Sequence, residues 1–427
     1  MIEVKLEKGP VRAWDDERRR ARDRFRDAEA PTAEAEEWRY SRVGDVPWAG
    51  LSDADAGAGQ PEAGSPSGRP TPNPDAIVVR VRDGRVVDVS GGDTAGLIVS
   101  RLSQTPDPDS LIQRHLAARD RGGLDVFVDL STALTHDPLV VCVDPGVVVS
   151  RPIWVANELT GASWAATQLW VVAGGDSEVA VVESLTGGGV ESDSACASFT
   201  WIDVGPAARV RVQQMQNTGE KTWIFGSQLA TVERDGSLRL GQTSTGATYA
   251  RARSDVHLIG QGASSELLAV YVGSEQQMHD FRTFQHHVAP YTNSDLLFKG
   301  AVTDSARSVY SGLIHIGPDA KGASAAQVNR NLVLSEGASA ESVPNLEIEN
   351  NEVRCSHASA VGPIDDDQRF FLEARGVPTD VAEWLVVMGY FDEVIERLPV
   401  GLLAAQLHDA IEEKIAGSFE REVRHGA

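Results

Sequence analysis

The sequence predicts a mainly β protein. Its core is a long stack of short strands, preceded by a mixed, largely helical region and followed by a helical domain. Three observations carry this. From 126 to 362, alternating apolar residues run into small Gly, Asp or Pro turns and resume, with no helical period between them. Strand patterning over about 230 residues is long for a single sandwich and favours a stacked solenoid. At Asp365 the apolar period switches from that of a strand to that of a helix.

Composition limits the function classes. The 427 residues are 41% hydrophobic, which is globular material with room for a substantial core. A net charge of −23 argues against DNA or RNA as a partner, because phosphate binding needs a basic surface. No apolar run reaches the ~20 residues of a membrane-spanning helix. The opening MIEVKLEKGP lacks a signal peptide's apolar centre, so a cytoplasmic location without membrane attachment is expected. Cys142, Cys196 and Cys355 stand far apart, which suits a reducing compartment.

Residues 1–125 form the N-terminal region. Between Val11 and Arg26, seven arginines stand against four acids. The apolar face of this helix is thin, so a solvated helix is expected rather than a membrane or acidic-partner patch. Trp38, Tyr40 and Trp48 follow, suited to pack this element onto something larger. Residues 49–75 hold five prolines and five glycines and read as a linker. IVVRVRDGRVVDVS (77–90) reads as a hairpin turning at Asp83-Gly84, and DSLIQRHLAARD (109–120) as a helix.

The core from 126 to 362 repeats a theme rather than a sequence: VVAGGDSEVAVVES, VERDGSLRLGQT, HIGPDAKGASAAQV. Its turns fall roughly 14 to 42 residues apart, so no fixed period is demonstrated. The pattern alone allows a sandwich, a barrel or a β-helix. In residues 363–427, Asp365 with Gln368 reads as a capping box, and Gly376 with Pro378 as that helix's end. Asp380 with Glu383 is expected to cap the next helix. Trp384, Met388, Phe391 and Ile395 recur at i, i+4, i+7 and i+11 on one face. That stripe suits either a small bundle's own core or a partner-docking surface. Pro399 ends it, and a last helix is expected over 402–415.

Catalytic motifs are scarce. GEKT (219–222) resembles the tail of a phosphate loop, but Glu220 separates Gly219 from Lys221 and Gln214 stands where the first glycine would fall. No GxSxG or HExxH occurs. His279, His286 and His287 cluster, and His315 lies further on, without a familiar zinc spacing. On stacked strands, distant residues can share a face, so a composite site stays open; taken singly, each reads as an ordinary histidine. Cys355 and His357 are two apart and share a face of a strand. A thiolate and an imidazole together suit iron. Three cysteines cannot supply the four thiolates of an all-cysteine cluster, so the pair supports a shared or transient site completed by another subunit.

Five segments in order, SDLLFKG (294–300), ARSVYSGLI (306–314), QVNRNLVLS (327–335), PNLEIENNEVRCSHASAVGPID (344–365) and DQRFFLEARGVP (367–378), resemble the SufB/SufD family of the SUF iron–sulfur cluster assembly system. The resemblance implies a parallel, right-handed β-helix over 126–362. It also implies a scaffold without catalysis of its own, paired with a SufB-like subunit and docking a SufC-like ATPase through the C-terminal helices. Trp384, Met388 and Phe391 are then expected to line the docking face or support it. Cys355-Ser356-His357 matches the D-type subunits, where B-type relatives typically carry Gly-His-Glu. The family role in nascent cluster formation carries over to His357 and, less directly, to Cys355. Ala358-Ser359-Ala360 departs from the usual Gly-Ala-Thr-like continuation. No stably bound cofactor is implied, only a transient cluster at the subunit interface, and nothing assigns a flavin. Two other readings are a secreted-type β-helix carbohydrate-active enzyme and a homo-oligomeric structural or binding protein without metal chemistry. The first would want a carboxylate pair and usually a secretion signal, and neither stands out.

Overall fold

The computed structural model describes residues 2–4, 6–48, 72, 74–92, 94–122, 124–161, 164–189 and 192–425. Most of the expected linker at 49–75 lies outside the described residues. Helix α1 (Arg12–Asp27) comes first. Strands β1 (Ile77–Arg82), β2 (Arg85–Ser90) and β3 (Leu97–Arg101), then helices α2 (Pro108–Arg119) and α3 (Val126–Leu134), lead to β4 (Leu139–Val143). The next strands are β5 (Ile153–Leu159), β6 (Trp164–Ala173), β7 (Glu178–Gly187), β8 (Ser194–Val204), β9 (Arg209–Thr218), β10 (Thr222–Val232), β11 (Ser237–Ser244) and β12 (Tyr249–Leu258). Then come β13 (Ser264–Gly273), β14 (Met278–His287), β15 (Asn293–Val302), β16 (Arg307–Ile316), β17 (Ser324–Val333), β18 (Ser339–Ile348) and β19 (Arg354–Gly362). Helices α4 (Asp366–Glu373), α5 (Thr379–Ile395) and α6 (Ala404–His425) close the chain.

From β5 onward odd strands fall in one parallel sheet and even strands in the other, so the chain alternates between two walls of a β-solenoid. The expected parallel β-helix is what forms. Each rung advances the register by a nearly constant amount. Ser237, Ser264, Asn293, Ser324 and Arg354 are successive partners, with steps of 27, 29, 31 and 30 residues. One corner explains why this period was hidden. Gly146, Asp176, Ala207, Asp235, Gly262, Tyr291 and Gly322 all take positive φ there. Each of their amide N–H groups donates to a carbonyl one rung further on, as from Asp176 to Pro206 at 2.9 Å and from Tyr291 to Lys321 at 2.8 Å. Only three of the seven are glycines; stacking holds the others in the left-handed region, so composition does not mark every corner.

Val179, Val210, Leu238, Leu240, Leu267 and Leu296 from one sheet meet Leu169, Val171, Ile202, Val256, Phe281 and Tyr310 from the other to fill the solenoid. Both outer faces are covered by helices. On the odd-strand sheet, Leu268, Val270, Val272 and Leu297 pack against Val387, Met388, Phe391 and Val394 of α5 and Leu407 and Ile411 of α6. On the even-strand sheet, Trp164, Ala195, Ala197 and Phe225 pack against Phe127 and Leu130 of α3, with Phe25 of α1 and Trp38 behind them.

Several expectations change. Val126 begins a helix rather than the β core, and the strands start earlier: β1 pairs with β2 as the expected hairpin and also in parallel with β5. Helix α1 is not simply solvated. Trp14, Arg18, Ala21 and Phe25 form its buried stripe, and the arginine within it makes the apolar face look thin. Arg18 Nε donates to the Ala133 carbonyl at 3.2 Å, and Arg24 pairs with Asp129 of α3 at 2.7 Å. Trp38 and Trp48 pack on Phe127 as anticipated, while Tyr40 stays exposed. Asp365 caps α4, accepting from the Asp367 and Gln368 amides. Asp380 and Glu383 do not cap α5, which starts after Pro378 with no side-chain cap; proline's fixed φ starts that helix instead. The last helix runs on to His425.

Candidate functional site: the open last rung

The interior columns of the solenoid change character toward its C-terminal end. In one column Val212, Leu240, Leu267 and Leu296 are succeeded by Gln327 and then His357. Four apolar side chains thus give way to an amide and an imidazole. In the next, Leu238 is followed by Ser265, Ser294, Ala325 and Cys355. Cys355 and His357 therefore occupy inward positions of β19, on one face as their spacing requires.

They are accessible because β19 ends one sheet and β18 the other. No strand covers this rung among the described residues. Leu346 and Ile348 of β18 are in register with the buried Ile314 and Ile316, yet they are 37% and 45% exposed. Val361 of β19 follows Asn331 and is 45% exposed. A cross-section of core is thus presented to solvent, with unpaired strand edges beside it. His357 is exposed and Cys355 half-buried, the latter packed against Ile314, Ile316 and Ala325. That burial pushes the Cys355 thiol above its ordinary range. The thiol stays protonated at neutral pH until a metal or a neighbouring cation draws off its proton.

The rungs below this one carry polar groups among their apolar residues. Tyr271 donates to Asn331 Oδ1 at 2.7 Å, Asn331 donates to Asn329 at 2.9 Å, and Tyr310 and Thr283 share a hydrogen bond of 2.9 Å. The side-chain amides of Gln285 and Gln327 are buried without a partner among the described residues. Sequence reasoning missed these groups because their inward placement depends on register between strands about thirty residues apart.

Met388 and Phe391 are not at the surface, so of the two expected roles, lining a docking face or supporting it, burial leaves them the second. Both are buried between α5 and the solenoid, and Trp384 is half-buried at the edge of the same cluster. The stripe faces the sheet because that sheet's outer face is itself apolar. Lys299 fastens the helix, donating to the Tyr390 carbonyl at 2.6 Å and pairing with Glu393 at 2.7 Å. Among the described residues, the large apolar side chains these helices leave exposed are Phe370, Phe371, Val381 and Leu385, and Phe371 and Leu385 share one groove. Of the clustered histidines, His279 and His287 point inward and are hydrogen-bonded, to Ser244 at 2.9 Å and to Thr292 at 2.8 Å. They are structural. His286 faces outward.

Fold and site together define a β-solenoid whose uncovered last rung carries a thiol and an imidazole. Comparison with known proteins makes the class specific. Residues 156–390, more than half of the chain, match the family described as "SUF system FeS cluster assembly, SufBD core domain". The chain belongs to this family of iron–sulfur cluster assembly proteins. It is 35% identical over 246 residues to an iron–sulfur cluster assembly SufBD family protein of Mycobacterium tuberculosis, covering 56% of this chain and 61% of that one. It is 30% identical over 249 residues to the iron–sulfur cluster assembly protein SufD of Bacillus subtilis, covering 57% and 56%. A SufBD family protein of Staphylococcus epidermidis is 24% identical over 312 residues, covering 73% and 67%. The chain thus spans 61% and 56% of the length of the first two relatives it matches.

Proposed function

We propose that the chain is a D-type, non-catalytic scaffold subunit of a SUF complex, for which an iron–sulfur cluster in formation is cargo. The observation that carries this is the open rung, where Cys355 and His357 stand on exposed core beside unpaired strand edges. A B-type β-solenoid would cover that end, pairing its edges and burying Leu346, Ile348 and Val361. His357 would offer an imidazole to iron, and Cys355 a thiolate formed as metal binds; the remaining ligands would come from the partner. An ATPase subunit would dock on the exposed Phe370, Phe371, Val381 and Leu385, while Trp384, Met388 and Phe391 hold the helix that presents them. No phosphate loop is recognisable in this sequence, so nucleotide hydrolysis is assigned to that partner. The setting would be the cytoplasm; no helix among the described residues is long and apolar enough to cross a membrane.

The test is co-expression with B-type and ATPase partners. His357→Ala should leave the complex intact while lowering cluster formation by about tenfold or more, and Cys355→Ala should have an equal or smaller effect. Wild-type cluster formation by His357→Ala in an intact complex would remove the site. Phe371→Asp should release the ATPase and keep the B-type partner; an ATPase retained at wild-type level would remove the docking face. A symmetric homo-oligomer indifferent to both partners would instead favour a structural protein without metal chemistry.

A further inference from the structure

A second candidate site lies on the outer wall of the even-strand sheet, away from Cys355 and His357. Asp255 and His257 are two apart on β12 and face outward, since Val256 and Leu258 between and after them fill the solenoid. His286 on the adjacent β14 is in register with His257 and also faces outward. Their rings stack with centroids 4.4 Å apart and planes 11° from parallel. His286 Nε2 lies 3.7 Å from Asp255 Oδ1. One ligand atom from each of the three falls within 4.8 Å of the others.

We infer that Asp255, His257 and His286 bind a first-row divalent transition cation of the zinc or ferrous class. An unsatisfied group points to it independently. His257 is 5% exposed, and its Nε2 has no hydrogen-bond partner among the described residues. A buried nitrogen left so forfeits hydration unless something occupies the space before it. Gly122 approaches that nitrogen, where a Cβ would stand 3.4 Å from it, while the partly exposed ring of His286 stacks on the same imidazole.

The protonation states suit a cation. Burial pushes His257 down to about 4, so its lone pair is free at neutral pH. Arg253 binds Asp255 Oδ2 at 2.7 Å, which leaves Oδ1 for the metal. The guanidinium is itself neutralised on its other side by Glu37. Arg121 also bears on His257, but it is exposed and screened by solvent.

Two imidazoles and one carboxylate favour zinc or ferrous iron over magnesium or calcium, which prefer all-oxygen shells. Ligand atoms on one tetrahedral ion stand roughly 3.3 Å apart, so binding requires a closure of at most about 1.5 Å. A tilt of His286 supplies it and breaks the parallel stack. With three protein ligands, a fourth position stays open to water. The same outward column continues through His315 to Glu347, and His315 Nε2 contacts Glu349 at 3.0 Å. This more exposed group is the natural competitor.

The experiment uses the full chain carrying Cys355→Ala and His357→Ala, so that its outcome is independent of the open rung. After chelation, Zn2+ alone is titrated by calorimetry and Co2+ by visible absorption. One equivalent should bind, with the ligand-field bands of nitrogen and oxygen coordination and no thiolate charge transfer. His286→Ala should weaken binding by about tenfold or more. It should also abolish the rise in Tm that Zn2+ produces in its parent, while leaving the metal-free Tm close to it. Absence of binding overturns the assignment. So does equal binding by His286→Ala, or loss in His315→Ala with retention in His286→Ala.

Discussion

Arg251 is 1% exposed on the outer face of β12, its guanidinium 3.9 Å from the centre of the Trp38 ring. Its charge is met by Asp125 at 3.4 Å and Asp280 at 3.5 Å. Asp280 also accepts from the Tyr249 hydroxyl at 2.7 Å and from Arg282 Nε at 2.6 Å. Such a network contributes little net stability while whole, but removing one member strands a charge without water. Asp280→Asn keeps the shape and removes the charge, so it should destabilise the fold by about 3–5 kcal/mol. Urea unfolding would show this as a lower midpoint at unchanged slope. A loss below about 1 kcal/mol would mean that water reaches the guanidinium.

Helix α5 presents two faces with different purposes. Its inner stripe closes the odd-strand sheet, and Phe391 at its centre is fully buried among Leu268, Leu297 and Met388. Phe391→Ala should cost about 3–5 kcal/mol through lost burial and the cavity left behind. Leu385 is 40% exposed, and Leu385→Ala should stay within about 0.5 kcal/mol. Equal effects of the two, measured by thermal unfolding, would show that the helix does not lie against the sheet as described. The same logic applies to α1, where a buried arginine carries part of the contact that a leucine would make elsewhere.

At the scale of the whole molecule, buried histidines set the acid limit. Burial pushes His279 down to about 3, and His257 and His287 to about 4. His115, wedged between Trp14, Trp170 and Trp201, falls well below its ordinary value, chiefly through burial and then through Arg119. In the unfolded chain each titrates near ~6.5. Below that value the unfolded state binds protons that the folded state refuses. Their stabilisation is therefore complete above about 6.5 and is lost as pH falls toward 4. Each contributes up to about 1.4 kcal/mol per pH unit across that window. Glu183 and Glu37, both raised chiefly by burial, act in the opposite sense but are two groups against four. Tm should fall steeply between pH 6.5 and 4.5, and a flat profile there would contradict the burial of these rings.

The sequence by itself determined the fold class, the switch to helices at Asp365 and the pairing of Cys355 with His357 on one face. Those are local matters: period, turn chemistry and a spacing of two. The five family-like segments fall on β15 to β19 and α4, the rungs that build the open end. Tertiary structure decided the rest. Only the stacking of strands about thirty residues apart shows that Cys355 and His357 face inward at an uncovered rung. The same stacking brings His286 against Asp255 and His257, which no sequence spacing announces. A helical stripe says that Met388 and Phe391 are buried, but not against what. The physical reason is common to all three: a side chain's environment is set by the rung above and the layer beside it, and neither is near it in the chain.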